Sequence, residues 1–421
     1  MSGAGAATVA PGASGPAAGG PGSAARDGGA GGLIERASRR VRSGELGALP
    51  VIVGLVVMCA VFQSLAPTFL SARNLSNLAL QIVPTGLIAL GVVLVLLLGE
   101  VDLSAGSVSG LCAAVMAVMT VKQGHDPVLA IGAALLLGAL IGAVHGFFFA
   151  RLGVPSFVVT LAGLIGWQGA LLWVLGETGT VNIPYDGPVA ALANTFLSEM
   201  ALGYAVVLVP VALYLVSLLR GSARRAAVGL PRMGARDVAL RAGGLALLGL
   251  GAAWVLNLTR GVPLALVIFV GLVALVDLAL RKTRYGRMVF AVGGNAEAAR
   301  RAGIDVRRVR ISVFALASTL AAVGGVMQAS RLFAVNQASG SGDVLLNAIA
   351  AAVIGGTSLF GGRGSAWSAL LGMLVIGAIQ SGILLLNLQS DAQYMITAAV
   401  LLVAVTVDAV SRRGRRASGR S

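Results

Sequence analysis

The chain has 421 residues, of which 57% are apolar and a further 59 are Gly, while only 11% carry charge. This balance excludes an ordinary soluble enzyme, a disordered protein and a nucleic-acid-binding domain, because so apolar a surface needs a bilayer around it. The net charge of +15 reads as membrane topology rather than nucleic-acid binding, because the Arg residues fall in four blocks separated by apolar runs.

Residues 1–47 are rich in Ala, Gly, Ser and Pro and read as a disordered cytoplasmic tail with a basic end at Arg36, Arg39, Arg40 and Arg42. The first apolar run follows at 48–66. Ser64-Leu65-Ala66 faintly resembles a signal-peptidase site, but the run is long and its leader extended, so it reads as an anchor. A membrane-crossing helix takes about 20 apolar residues. On that measure spans are expected near 48–66, 79–98, 104–121, 127–150, 155–176, 202–219, 242–258, 262–280, 311–330, 344–360, 366–386 and 393–410. The predicted fold is therefore an all-α polytopic membrane protein of about twelve spans, with a permease domain over 48–410 and a basic cytoplasmic tail over 411–421. The breaks at 98–104 and 360–366 are short and contain Gly, the pattern of re-entrant segments.

Charge bookkeeping supports an even number of spans. The two tails, the Arg-rich 220–241 loop and the 281–310 loop, with Arg151 and Arg363, place 27 Lys and Arg on one side, against Arg73, Lys122, Arg260 and Arg331 on the other. This split predicts both termini in the cytoplasm. The longest outward loop, 177–201, carries Glu177, Asp186 and Glu199. It fits a partner-receiving face and a plain solvated loop equally.

Inside the apolar runs there is little chemistry. Gly138, Gly142 and Gly146 repeat every fourth residue, which predicts close helix packing. His145 beside them is expected to hydrogen-bond a neighbouring helix. Cys59, Cys112, His125 and His145 form no metal-ligand spacing. Acids are scarce at depth: Glu100 and Asp102 lie at a span end, and Asp277 and Asp408 near cytoplasmic ends. This scarcity counts against an ion-coupled carrier. Neither Lys122 nor Lys282 lies in a phosphate-cradling loop, and no catalytic elbow or zinc spacing appears, which counts against an integral-membrane enzyme. No catalytic residue, metal or cofactor is expected in this chain.

The 281–310 loop is more specific. Asn295 suits a helix N-cap, Glu297 the positive end of the helix, Arg300 and Arg301 the negative end, and Gly303 a left-handed stop. A short helix of about two turns is predicted there. A docking helix and a plain connecting loop both fit that pattern.

Four stretches carry a resemblance to a known family. They are Asp102-Leu103-Ser104-Ala105-Gly106-Ser107, Val154-Pro155-Ser156-Phe157-Val158-Val159-Thr160-Leu161, Tyr285-Gly286-Arg287 with Ala291 to Asn295, and the Gly-rich run from Ala348 to Gly362. In this order they resemble the membrane-spanning permease of bacterial ATP-binding-cassette (ABC) importers for monosaccharides, the ribose/xylose family. That family usually has ten helices. The extra pair here, with Gly99-Glu100-Val101-Asp102, is similar to the xylose branch. The resemblance implies an inner-membrane, multi-pass subunit without catalysis of its own, paired with a second permease copy and surrounded by membrane lipid. A separate ATPase would hold ATP and Mg, and an extracytoplasmic sugar-binding protein would deliver the substrate. It implies that Gly294, Asn295, Glu297, Ala298, Arg301 and Gly303 couple to the ATPase. Asp102, Ser104, Gly355, Gly356 and Thr357 are the candidate gate or pathway, and structural packing fits the glycines equally.

Overall fold

The computed structural model describes residues 49–389 apart from Met233, and beyond them only Asp391, Met395, Ile396, Ala398, Ala399, Leu402 and Thr406. The predicted tails at 1–47 and 411–421, and most of the predicted span 393–410, lie outside the described residues. The described chain is mainly helical. It opens with α1 (Leu49–Leu65), α2 (Ala72–Leu97), α3 (Ala105–Ala117, continued by a π turn at Val118–Lys122), α4 (Pro127–Leu152) and α5 (Ser156–Leu175). A short segment follows with β1 (Thr180–Asn182), α6 (Pro188–Asn194) and β2 (Phe196–Leu197). Then come α7 (Met200–Ala227), α8 (Ala235–Asn257), β3 (Val262–Pro263) and α9 (Leu264–Lys282). The remainder is α10 (Arg284–Gly294), α11 (Ala296–Arg301), α12 (Val306–Leu332), β4 (Ala334–Asn336), α13 (Asp343–Ile354) and α14 (Trp367–Leu385).

Among the described residues nine helices are long and apolar enough to cross a membrane, and two shorter apolar helices stand beside them. One predicted span is corrected. The run 344–360 is not one helix: α13 stops at Ile354 after 12 residues, about 18 Å of rise, against the roughly 30 Å of a bilayer core. Apolar composition continues past Ile354, but Gly356 takes φ +101 and turns the chain out of the helix.

Local chemistry explains the boundaries. Asp126 caps α4 by accepting from the amides of Val128 and Leu129 at 2.8 and 3.1 Å, with Pro127 in the first turn. Ser71 caps α2 in the same way through the amide of Asn74. Gly153, at φ 75, ends α4.

The core is built around α2, which is buried along most of its length, and α12, which packs along α4, α2 and α3. The predicted glycine stripe does this work: a Cβ at Gly138, Gly142 or Gly146 would strike Ser318, Phe314 or Ile311 of α12. With no side chain there, the two backbones meet closely and gain dispersion contacts in place of a hydrophobic effect that lipid cannot supply. At one end of the bundle, two antiparallel pairs tie the loops together. β1 lies on β4 with Val181 opposite Val335, and β2 on β3 with Leu197 opposite Val262. The extra pair α7–α8 is peripheral. It buries almost none of its length and joins the bundle through a small apolar cluster of Ala79, Ala253, Leu256 and Val262.

Candidate functional site

Three irregular segments that are far apart in sequence meet at one place. The break 98–104 leaves the end of α2, the Gly-rich loop 355–366 leaves α13, and the α10–α11 turn falls at Gly293, Gly294 and Asn295. The Gly362 amide donates to the Leu97 carbonyl at 2.9 Å. A Cβ on Gly361 would sit 2.5 Å from the Gly293 carbonyl oxygen and 2.8 Å from the Gly99 nitrogen. A Cβ on Gly293 would run into the Leu97 carbonyl oxygen. The contact is backbone against backbone, so it has little give. Glycine is required because any side chain would part the three strands of chain. Gly361 also takes φ +81.

The helix pair α10–α11 stands on this junction. Thr283 caps α10 through the Gly286 amide at 3.2 Å. The Tyr285 hydroxyl lies 2.8 Å from Ser312 Oγ of α12, and burial pushes the phenol pKa up while that hydrogen bond pulls it back. Asn295 caps α11 by accepting from the Ala298 amide at 2.9 Å. Gly303, at φ +83, follows the end of α11. The helix is six residues long, close to the two turns expected, whereas α10 before it has no counterpart among the predicted elements. Ala299 is buried against the body while Glu297, Ala298, Arg300 and Arg301 face outward. Glu297 pairs with Arg300 at 3.0 Å and with Arg301 at 3.4 Å. The exposed face is thus charged and ordered.

Asp102 and Ser104 are buried in a polar chain across three elements. Asp102 Oδ1 accepts from the Ser104 amide at 2.8 Å and from the Ser104 hydroxyl at 2.6 Å. Ser104 Oγ lies 3.4 Å from His145 Nδ1, and the Trp167 indole donates to His145 Nε2 at 2.9 Å. An indole only donates, so Nε2 is the acceptor and the neutral ring carries its proton on Nδ1, facing Ser104. Donors therefore run in one direction, Trp167 to His145 to Ser104 to Asp102. The expected inter-helix bond of His145 is present, and its partner is Trp167.

Gly355, Gly356 and Thr357 lie in the second broken segment. Gly355 abuts the Ser368 backbone, and the Thr357 amide donates to the Ala352 carbonyl at 3.0 Å. Thr357 Oγ1 is buried without a partner. A small cavity of about 20 Å³, room for one water, lies instead among Thr85 of α2, Ser109 of α3, Gln328 of α12 and Ser339. None of the five predicted pathway residues lines it.

Sequence reasoning missed Gly99, Gly293 and Gly361 as contact points and missed a charged clasp at the first break. Arg310 Nη2 of α12 lies 3.5 Å from Glu100 Oε1, and the Ser156 hydroxyl donates to Glu100 Oε2 at 2.7 Å. The Arg310 guanidinium also lies over the Phe149 ring at 4.4 Å. Burial raises the Glu100 pKa, while Ser156 and then Arg310 pull it down. Glycine doublets and the acids within the break were the available signals, but 210 residues separate Glu100 from Arg310. A double-mutant cycle with Glu100→Gln and Arg310→Gln is expected to show a coupling of about 1 kcal/mol in thermal unfolding; additive losses would dissolve the clasp.

No solved structure matches the chain significantly. Among curated proteins it is similar to the xylose transport system permease protein XylH of Escherichia coli (strain K12), 37% identical over 345 residues, or 82% of this chain and 87% of that protein. The XylH of Haemophilus influenzae is 34% identical over 377 residues, covering 89% of this chain and 99% of that one. The ribose import permease protein RbsC of Bacillus subtilis is 30% identical over 357 residues, covering 85% and 91%. A family model described as "Branched-chain amino acid transport system / permease component" matches residues 74–405. That match takes in both broken segments, the buried polar chain and the α10–α11 pair, and the chain belongs to this transport-system permease family.

Proposed function

We propose that this chain is the membrane-spanning permease of an ATP-driven importer for a monosaccharide of the xylose or ribose type, in a bacterial cell membrane. The family description speaks of amino acids. The relatives that match most of the chain carry xylose and ribose in their names, and that favours sugar. The peripheral pair α7–α8 and Glu100 favour the xylose side of that choice.

The observation that carries the mechanism is the seat of α11. An exposed, charged helix is mounted on a glycine junction that touches both broken segments of the bundle. A separate ATPase subunit, holding ATP and Mg, docks on Glu297, Ala298 and Arg301 from the cytoplasm. Gly294, Asn295 and Gly303 shape the helix and its turns. Closure of two ATPases displaces α11. Packed backbone cannot absorb the movement, so the segments at 98–104 and 355–366 shift with it as rigid bodies. Asp102, Ser104, Gly355, Gly356 and Thr357 then act as the moving gate rather than as sugar ligands. A cavity of one-water size lies well below the roughly 300 Å³ of a small-ligand site. The passage therefore opens only in another state, completed by a second copy of the chain. A sugar-binding protein delivers substrate to the opposite face, where 177–201 lies.

Exchanging the charges of α11, Glu297→Arg with Arg301→Glu, tests this reading. Both side chains are exposed, so stability is expected to move by no more than about 0.5 kcal/mol. Membrane abundance stays normal while co-purification with the ATPase and sugar uptake both fall at least tenfold. Wild-type uptake and co-purification would refute the docking role.

A further inference from the structure

The α7–α8 pair supplies a second site, unrelated to the junction. Along the C-terminal half of α7, Leu213, Val216, Ser217, Arg220, Gly221 and Arg224 line an open cavity of about 320 Å³, closed on its far side by Lys282 at the end of α9. Three cations face one space. Among the described residues none of the three has an acidic partner: the neighbouring Asp277 is taken by Arg281 at 2.8 Å, and no acid lines the cavity. The Ser217 hydroxyl is committed to the Tyr214 carbonyl at 2.7 Å. Toward the middle of α7 the wall becomes apolar, through exposed Val216 and Leu213. Basic residues crown the cavity and apolar residues run away from them along a helix that crosses the membrane. The cavity is large because α7 and α8 pack mainly on each other and leave the end of α9 free.

We propose that this cavity is a binding site for an anionic phospholipid. The headgroup phosphate sits among Arg220, Arg224 and Lys282, and one acyl chain lies along Val216 and Leu213. Charge complementarity argues for an anion: unpaired cations at a membrane boundary attract acidic lipid headgroups, and guanidinium groups bind phosphate in bidentate fashion. The apolar wall argues for a lipid over free phosphate, because a soluble anion has no use for it. A docked acidic segment of protein would leave Leu213 and Val216 facing the bilayer. The site would tether the peripheral pair to the membrane boundary and fill the gap between α7 and α9.

The test uses the full-length purified chain in a neutral detergent, titrated with phosphatidylglycerol or phosphatidylcholine, with bound lipid read by native mass spectrometry. Three cations predict a preference for phosphatidylglycerol on the order of a hundredfold. The triple variant Arg220→Gln, Arg224→Gln, Lys282→Gln is expected to fall to the phosphatidylcholine level with an unchanged lipid-free unfolding midpoint. Arg220→Lys with Arg224→Lys, which keeps the charge, retains the preference. Undiminished retention by the triple variant would overturn the proposal. So would full displacement of phosphatidylglycerol by inorganic phosphate, which would mark a free-anion site. If the triple variant fails to fold, Leu213→Gln with Val216→Gln is the second arm: reduced lipid retention with intact phosphate binding supports the lipid, and unchanged retention overturns it.

Discussion

Replacing Gly293 by Ala is expected to destabilise the protein by about 2 kcal/mol and to cut sugar uptake at least tenfold, whereas the same change at Gly294 is expected to be tolerated. The two glycines are neighbours in one turn and differ only in what surrounds them. A Cβ at 293 would strike the Leu97 carbonyl oxygen and lie 2.9 Å from the Gly362 nitrogen. A Cβ at 294 meets nothing within 4 Å, and Ala is the better helix former. Position 293 has only backbone to push against, so the junction itself must part. Parting removes the contact through which α11 is held to both broken segments. Thermal unfolding and uptake are measured on both variants in parallel. Equal behaviour of the two would mean that the junction is packing without a role in coupling.

The second large effect is expected at Asp102. This carboxylate is 2% exposed and accepts both Ser104 donors. Asp102→Ala leaves the Ser104 amide and hydroxyl without their acceptor, at a cost of about 2–3 kcal/mol. Asp102→Asn retains an acceptor oxygen and is expected to lose about half as much. Because donors run in one direction from Trp167, the effect should be shared along the chain. Trp167→Phe removes only the indole donor, so Asp102→Asn and Trp167→Phe together should depart from additivity by at least about 0.5 kcal/mol. Strict additivity in unfolding free energy would show that the three bonds act separately. Ser104→Ala breaks the chain in the middle and should abolish that coupling.

The sequence revealed long elements and concealed meeting points. The spans 127–150 and 155–176 were legible because caps and breakers bound a continuous apolar run: Asp126 and Pro127 at one end, Gly153 and Pro155 between them. The packing of Gly138, Gly142 and Gly146 was legible because its period is that of a helix face. The span 344–360 was misjudged because hydropathy sums side chains and does not register the backbone turn at Gly356. Helix α10 went unseen because Arg284, Arg287 and three glycines mask its apolar face of Val289 and Val292. The capped α11 was visible because its signals are local, whereas the junction beneath it joins Leu97, Gly293 and Gly362. Single-sequence periodicity carries no information about pairs separated by 70 to 270 residues. The ends of the chain and most of the predicted span 393–410 lie outside the described residues, and the turn at Gly356 takes 344–360 out of the twelve expected spans.

On the proposed mechanism, sugar crosses the membrane through this chain only when ATP is hydrolysed by a partner docked on α11. Uptake of labelled xylose is measured into proteoliposomes containing the chain, with and without a co-purified ATPase and a sugar-binding protein, and with unlabelled xylose, ribose or leucine as competitor. Uptake is expected to require ATP and both partners, to be competed by xylose or ribose and not by leucine, and to be lost in Gly293→Ala but not in Gly294→Ala. Uptake by the chain alone, abolished by collapsing an ion gradient, would contradict it and make the protein a secondary carrier.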